Sequence, residues 1–379
     1  MRPGSRRAFL GAAAVSVVCL AGAATVAVGA QTGDATPMTD STFKNIMLLK
    51  GIPVDTFFDA MGMFANAMGN DCTYCHAPSA ALDRNAFAVA TPRIQRARQM
   101  IVMMNAINKQ YFGGQPRVTC FTCHGGNQSP RSDPNIALQY STPPEDPNVR
   151  DFPTDPTGSA DQIFDRHLQA VGGAARLAAL TSFTAKGTYE GFDTAFEKVP
   201  VDIFAQAPNR YTTTVHMSAG DSLRVYNGTG GWIAGPDTPV PLLTLTSGNL
   251  DRARLEALVA FPAGLKQAFN QWRVGRAVMN DQEVRVLQAA ENGQPILNLY
   301  FDESDMLVRL VRWTVTPVGF VPTQIDYSDF RDVAGVKIPF RRQVSQTYMQ
   351  MTVELSNVQP NVTIDAARFA KPAPAKPAA

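Results

Sequence analysis

The chain has 379 residues, 45% of them hydrophobic and 17% charged. That is a globular balance, which excludes disorder for the chain as a whole and leaves room for two domains or one large one. The formal charge is +2, and Arg2, Arg6 and Arg7 are the only charges in the first thirty residues, so the remainder carries −1. A near-neutral body excludes nucleic acid as the expected partner, since that would need a basic excess.

Residues 1–30 read as an export signal. Basic residues precede an apolar run from Ala8 to Val28, and Val28-Gly29-Ala30 offers small residues for a signal peptidase. Ser5-Arg6-Arg7-Ala8-Phe9-Leu10 has the form of a twin-arginine signal. The alternatives are an uncleaved segment that anchors the protein to a membrane and a lipid-modified Cys19, the latter disfavoured by Val18 where a small residue is wanted. The expected location is the periplasm or cell envelope.

Two helices are predicted next. The first runs from Asp55 to Met68, after Pro53 and before Gly69, with Phe57, Met61, Phe64 and Met68 on one face. The second runs from about Pro92 to Lys109, with Arg96, Met100, Met103 and Ile107 at helical spacing. Each precedes a short turn and a C-x-x-C-H motif: Cys72-Thr73-Tyr74-Cys75-His76 and Cys120-Phe121-Thr122-Cys123-His124.

Four cysteines in an exported chain would ordinarily suggest two disulfides. The histidine after each pair points instead to haem c. Two thiols three positions apart form thioethers to one porphyrin, and the following imidazole lies beneath the iron as its proximal ligand. A thioredoxin-like pair needs no such histidine, and two fused histidines fit poorly around one tetrahedral zinc. The expected cofactors are therefore two covalent haem c groups, on Cys72, Cys75 and His76 and on Cys120, Cys123 and His124. His167 and His216 lie far downstream without a haem-motif context. For the opposite axial position Met47, Met61, Met63, Met68, Met100, Met103 and Met104 are candidates, and spacing alone does not choose among them.

Residues 126–158 are dense in Pro, Asp, Ser and Thr and read as a linker or covering loop. A helix is predicted over Ala160 to Ala179. Alternating strands follow, among them Ser182 to Tyr189, Arg224 to Trp232 and Asn298 to Phe301, interrupted by a helix from Asn249 to Phe261. The end, residues 371–379, is a low-complexity tail expected to be disordered.

Residues 43–130 resemble the first two haem segments of the tetrahaem cytochrome c subunit of photosynthetic reaction centres. The resemblance is carried by Phe57 to His76, Ala97 to Asn108 and Val118 to Gly125. It implies that each haem takes a methionine from the preceding helix: Met61 for the first and Met100 for the second, with Met63 and Met103 as competitors. The turn between Met61 and Cys72 differs in length from the family's, Tyr111 to Arg117 holds no histidine, and the third and fourth motifs are missing. A photosynthetic role is therefore not implied.

The later half resembles the periplasmic lipoprotein-carrier and lipoprotein-sorting family. The carrying residues are Tyr226 to Trp232, Tyr300-Phe301-Asp302 and Asp326 to Phe340. This implies a curved antiparallel sheet wrapped around helices, whose concave side holds an acyl chain or simply buries those helices.

The expected fold is thus α + β in two domains. It comprises a signal (1–30), a mainly helical dihaem domain (31–130), a linker (131–159), a half-barrel domain with helices (160–370) and the tail (371–379). The expected function is electron transfer with unidentified redox partner proteins, not catalysis. The alternatives are a dihaem peroxidase with one open haem, or a lipid or lipoprotein-binding module carrying haem.

Overall fold

Two meanders of antiparallel strands, joined at one seam, carry the rest of the molecule. The computed structural model describes residues 36–81, 83–141, 150, 152–236 and 238–376. The first meander comprises β1 (Ser182–Gly191), β2 (Val199–Gln206), β3 (Arg210–Met217), β4 (Gly220–Tyr226), β5 (Gly231–Ala234) and β6 (Leu243–Thr244). The second comprises β7 (Arg273–Met279), β8 (Gln282–Glu291), β9 (Gln294–Phe301), β10 (Leu307–Thr316), β11 (Gly319–Val333), β12 (Val336–Ser345) and β13 (Gln350–Pro360). β1 pairs with β13, giving one 13-stranded sheet with β6 and β7 at its two edges. The sheet is curved and unclosed, as the half-barrel expectation required.

Period-2 patterning sets which face is buried. Along β11, Val321, Thr323, Ile325 and Tyr327 are buried, whereas Pro322, Gln324 and Asp326 between them are only partly so. Because the meanders end at opposite edges, the chain must cross the sheet between β6 and β7. Helix α8 (Ser247–Ala260) makes that crossing. It buries Leu255 and Leu258, followed by Phe261 and Leu265, among Ile203, Leu287, Leu299 and Ile325. The concave side is therefore filled largely by the protein's own helix.

The N-terminal part is helical: α1 (Thr39–Thr42), α2 (Val54–Met68), α3 (Pro92–Tyr111), α4 (Cys120–His124) and α5 (Ile136–Tyr140). Both predicted helices are present, extended by one or two residues. Pro53 precedes α2, and Gly69, at φ 62°, takes the left-handed conformation that ends it. The Thr91 side chain caps α3 and Pro92 is its first residue.

The single helix expected over Ala160 to Ala179 is broken. It forms α6 (Ala160–Ala170) and α7 (Ala174–Ala179), separated by Gly172 and Gly173 at φ 144° and 81°. A Cβ on Gly172 would meet the Gly335 carbonyl oxygen at 2.6 Å, so the β11–β12 turn approaches too closely for any other residue.

No gap in packing separates the helical part from the sheet. Val54 and Phe58 of α2 pack with Tyr226, Leu243, Leu245 and Ala257. One turn further on, Ala60 and Met63 pack with Val318 and Val321 at the β10–β11 hairpin. Within the stretch expected as linker or covering loop, Phe152 is buried with Val284, Val286, Val311 and Trp313, directly against Gly275. The tail departs from expectation at Ala375, whose N–H donates to Pro241 O at 2.8 Å.

Candidate functional site

Each C-x-x-C-H motif is a single helical turn. In the first, the His76 N–H bonds to Cys72 O at 3.0 Å, and Asp71 caps the turn by accepting from Thr73 N at 2.8 Å and Thr73 Oγ1 at 2.6 Å. The second is α4, closed by a reciprocal capping pair of Thr119 and Thr122. None of the four cysteines is in a disulfide, and burial raises the thiols of Cys72 and Cys75 and pushes Cys120 to about 11. Thiols so placed stay protonated at neutral pH.

The histidines share one arrangement. His76 Nδ1 lies 3.1 Å from Phe87 O, and His124 Nδ1 lies 3.1 Å from Asn127 O. A carbonyl oxygen only accepts, so Nδ1 carries a proton in both rings, and in the neutral imidazole that leaves the lone pair on Nε2. This is the bond that fixes the tautomer and orientation of a metal-ligating histidine. Burial also holds His76 below its ordinary pKa, keeping it neutral as a ligand must be. Phe87 packs edge-on to His76, with ring centroids 4.9 Å apart.

Helix α3 ties both motifs together. At its start, the Thr91 hydroxyl donates to Cys75 O at 2.6 Å. Arg93 donates to Tyr74 O at 2.8 Å while its guanidinium lies 4.1 Å from the centre of the Tyr74 ring. Near its end, the Asn108 amide donates to Val118 O at 2.7 Å and accepts from Val118 N at 2.9 Å, two residues before Cys120. The second motif also meets the end of α2: Gly126 N donates to Ala67 O at 3.0 Å.

The methionines fall into distinct environments. Met63 and Met104 are buried together beneath the β10–β11 hairpin. Met103 is 46% exposed, and Met47 is exposed beside Arg98. Met61 and Met100 are half-buried.

The donor set fits haem c: paired thiols on one turn, followed by an imidazole whose Nε2 is left to bind. Among the described residues no three His, Cys, Asp or Glu side chains converge as a zinc site would require. His167 and His216 stand apart from both motifs. His167 is buried with Nδ1 bonded to Asp305 O at 2.9 Å, and His216 bridges Asp202 and Asp221.

Sequence reasoning missed Phe87, Asn127, Thr91 and Asn108, which position the motifs through backbone atoms and leave no spacing signal. It also passed over Asp55 and Asp59, two carboxylates buried on α2. Thr246 N and Oγ1 donate to Asp55 at 2.6 and 2.7 Å, and Asn249 Nδ2 donates to Asp59 Oδ2 at 2.6 Å. Burial pushes Asp59 to about 7, against the pull of the Arg252 charge. Acids at i and i+4 in a mostly apolar helix were the available clue.

Residues 16–145, about a third of the chain, match the family model of the photosynthetic reaction centre cytochrome C subunit. That family is one of c-type cytochromes, and the match includes both C-x-x-C-H motifs. A search of curated proteins finds no match. Among solved structures, a LolA superfamily protein from Nitrosomonas europaea is similar at 13% identity and TM-score 0.37, covering 57% of this chain and 99% of its own. A putative outer membrane lipoprotein-sorting protein domain from Vibrio parahaemolyticus is similar at 9% identity and TM-score 0.37, covering 56% and 98%. Both cover the C-terminal part.

Proposed function

We propose that this is an exported c-type cytochrome of the periplasm or cell envelope that transfers electrons through two covalently held haems. The observation that carries the reading is the matched pair of Nδ1–carbonyl bonds, His76 to Phe87 and His124 to Asn127. Cys72 and Cys75, and Cys120 and Cys123, hold the two groups as thioethers, with His76 and His124 as proximal ligands. Met61 and Met100, each on the helix before its motif, would supply the second protein ligand to each iron. Met63 is engaged in core packing against Val318 and Val321, which favours Met61 over it. Haem, once bound, would supply a reversible one-electron couple, and methionine thioether ligation would favour the reduced state.

In this reading the sheet is a scaffold. The cavity left beside α8, lined by Phe183, Tyr211, Tyr327, Phe340 and Arg342, is about 40 Å³, an order of magnitude below an ordinary ligand pocket. The test is a haem-to-protein ratio on the exported chain, with ferric and ferrous spectra and carbon monoxide added. Two haems per chain and no carbon monoxide response are expected, with Met61→Ala and Met100→Ala each opening one carbon monoxide site. One wild-type haem that binds carbon monoxide would turn the reading to a peroxidase-like enzyme, and no covalent haem would overturn it.

A further inference from the structure

Three arginines inside the sheet share one carboxylate. Arg224 of β4, Arg252 of α8 and Arg342 of β12 lie 3.8, 3.9 and 3.5 Å from the Glu256 oxygens, all beyond the length of a charge-assisted hydrogen bond. Arg342 also donates to the Tyr211 hydroxyl at 2.9 Å, and Arg252 to Thr323 Oγ1 at 3.3 Å. Arg224 makes no hydrogen bond to any described residue, and the approach to Glu256 is its only ion-pair contact. Arg252 is 3% exposed, and its Nε is buried without a partner.

Counter-charge in this cluster is short. Asp59 on α2 also feels the Arg252 charge, but burial pushes its carboxyl to about 7, so it is only partly ionised at neutral pH. Fully ionised, it would still leave three cations against two anions. Burial, and next the charge of Arg252, draw Arg224 down to about 10, as expected of a cation without enough neighbouring anion. A buried charge left so is costly unless something pairs with it.

The cluster adjoins the first C-x-x-C-H turn. The β12–β13 hairpin lies across α2 at Gly62, where a Cβ would collide with Thr347 Oγ1 and meet the Tyr348 ring at 2.7 Å. Gly62 is the neighbour of Met61. Thr347 Oγ1 is buried without a partner. Burial raises the pKa of the Tyr348 phenol, and the charges of Asp59, Arg252, Arg224 and Cys72 all reach it. Tyr348 is therefore close both to the arginines and to a cysteine of the first motif. The Arg224 side chain is 27% exposed and Tyr348 is 44% exposed, so the cluster reaches the surface at this point.

We infer that Arg224, with Arg252 and Tyr348 beside it, is a seat for a carboxylate. A guanidinium takes a carboxylate through paired N–H donors, and the phenol adds a further one. Because Tyr348 also lies near Cys72, the carboxylate assigned is a propionate of the haem on Cys72 and Cys75; a free carboxylate from solvent has the same chemistry. The inference rests on the proposed function and gives the sheet a part in holding a haem as well as in supporting α2.

The test uses the full haem-loaded protein. Thermal unfolding midpoints of wild type, Arg224→Met and Arg224→Lys are measured at neutral pH, with and without acetate at matched ionic strength, together with the reduction potentials of both haems. Removing one partner of a buried ion pair destabilises a protein, whereas replacing an unpaired buried cation by an apolar side chain stabilises it, so the sign decides. Arg224→Met is expected to lower the midpoint by about 3 °C or more in both buffers and to lower the potential of one haem alone. Arg224→Lys should restore part of both. A midpoint lowered only when acetate is present would keep the seat and make its carboxylate one taken from solvent. A midpoint raised or unchanged in both buffers would overturn the inference. So would equal losses in Arg224→Met and Arg224→Lys with both potentials unmoved, which would mark a packing role. A chain without covalent haem fails the function reading separately, and the acetate comparison still reads the seat.

Discussion

The carboxylate of Asp55, in the first turn of α2, accepts hydrogen bonds from both the backbone N–H and the hydroxyl of Thr246, the residue at the N-cap position of α8. One helix thus supplies the N-terminal cap of another 191 residues along the chain. It does so with an anion placed where the α8 dipole favours one. Asp55→Ala would leave those buried donors unpaired and should cost about 2–3 kcal/mol. Urea unfolding followed by far-ultraviolet circular dichroism should show the lower midpoint. An unchanged midpoint would mean that the contact contributes nothing to stability.

His167 makes stability depend on pH. Burial is the main cause holding its pKa below the ordinary value, against the opposing bond to the Asp305 carbonyl and the charges of Asp305 and Asp302. The unfolded chain therefore takes up a proton near pH ~6.5 that the folded chain refuses. By linkage this part of the stability is complete above that pH and lost as pH falls through and below it. His167→Gln, which cannot titrate, should flatten the fall in the urea midpoint between about pH 7 and 5. A slope identical to wild type would locate the titration elsewhere.

Asn108 is expected to matter more to the second motif than to the first. Its side chain makes two bonds to the Val118 backbone, and Asn108→Ala should cost about 1–3 kcal/mol by leaving both backbone groups unpaired. On the proposed function, the ferrous spectrum should show the haem assigned to Cys120 and Cys123 altered while the other is retained. Equal perturbation of both haems would contradict this assignment.

Phe152 tests whether the stretch between helices and sheet is a passive connection. The ring is buried with Val284, Val311 and Trp313, and Phe152→Ala should cost about 3 kcal/mol. Gly275→Val should be similarly disruptive, because the Phe152 ring occupies the space where a side chain would project. Thermal unfolding of the two variants reads both effects. Values within a few tenths of wild type would restore the stretch to a simple tether.

The two C-x-x-C-H turns, the two helices before them and the alternating strands were legible because each is a local pattern. A C-x-x-C-H turn, a 3.6-residue period ended by Gly69, and the alternation in β11 all act within a few residues. The break at Gly172 was not legible, since it depends on Gly335, which the fold brings close from far along the chain. The buried polar side of α8 was hidden for a similar reason. Its buried Arg252 and Glu256 blur the amphipathic pattern, because Glu256 meets Arg224, Arg252 and Arg342 inside the sheet at 3.5 to 3.9 Å. Likewise nothing local marks Asp55 and Asp59 as buried, because their partners Thr246 and Asn249 lie far along the chain. Local periodicity reports which face is apolar, and not which polar groups will find partners inside.

The seam between β1 and β13 bears on how the molecule is assembled. Synthesis delivers the chain from its N-terminus, so β1 can pair with β2 early, while its other edge waits for Gln350 and the residues after it. Both cysteine pairs, complete by His124, therefore exist long before the strand that unites the two meanders. The surface on which α2 lies is finished only with Val318 and Val321 of the β10–β11 hairpin, so the motif at the end of that helix is made long before its support.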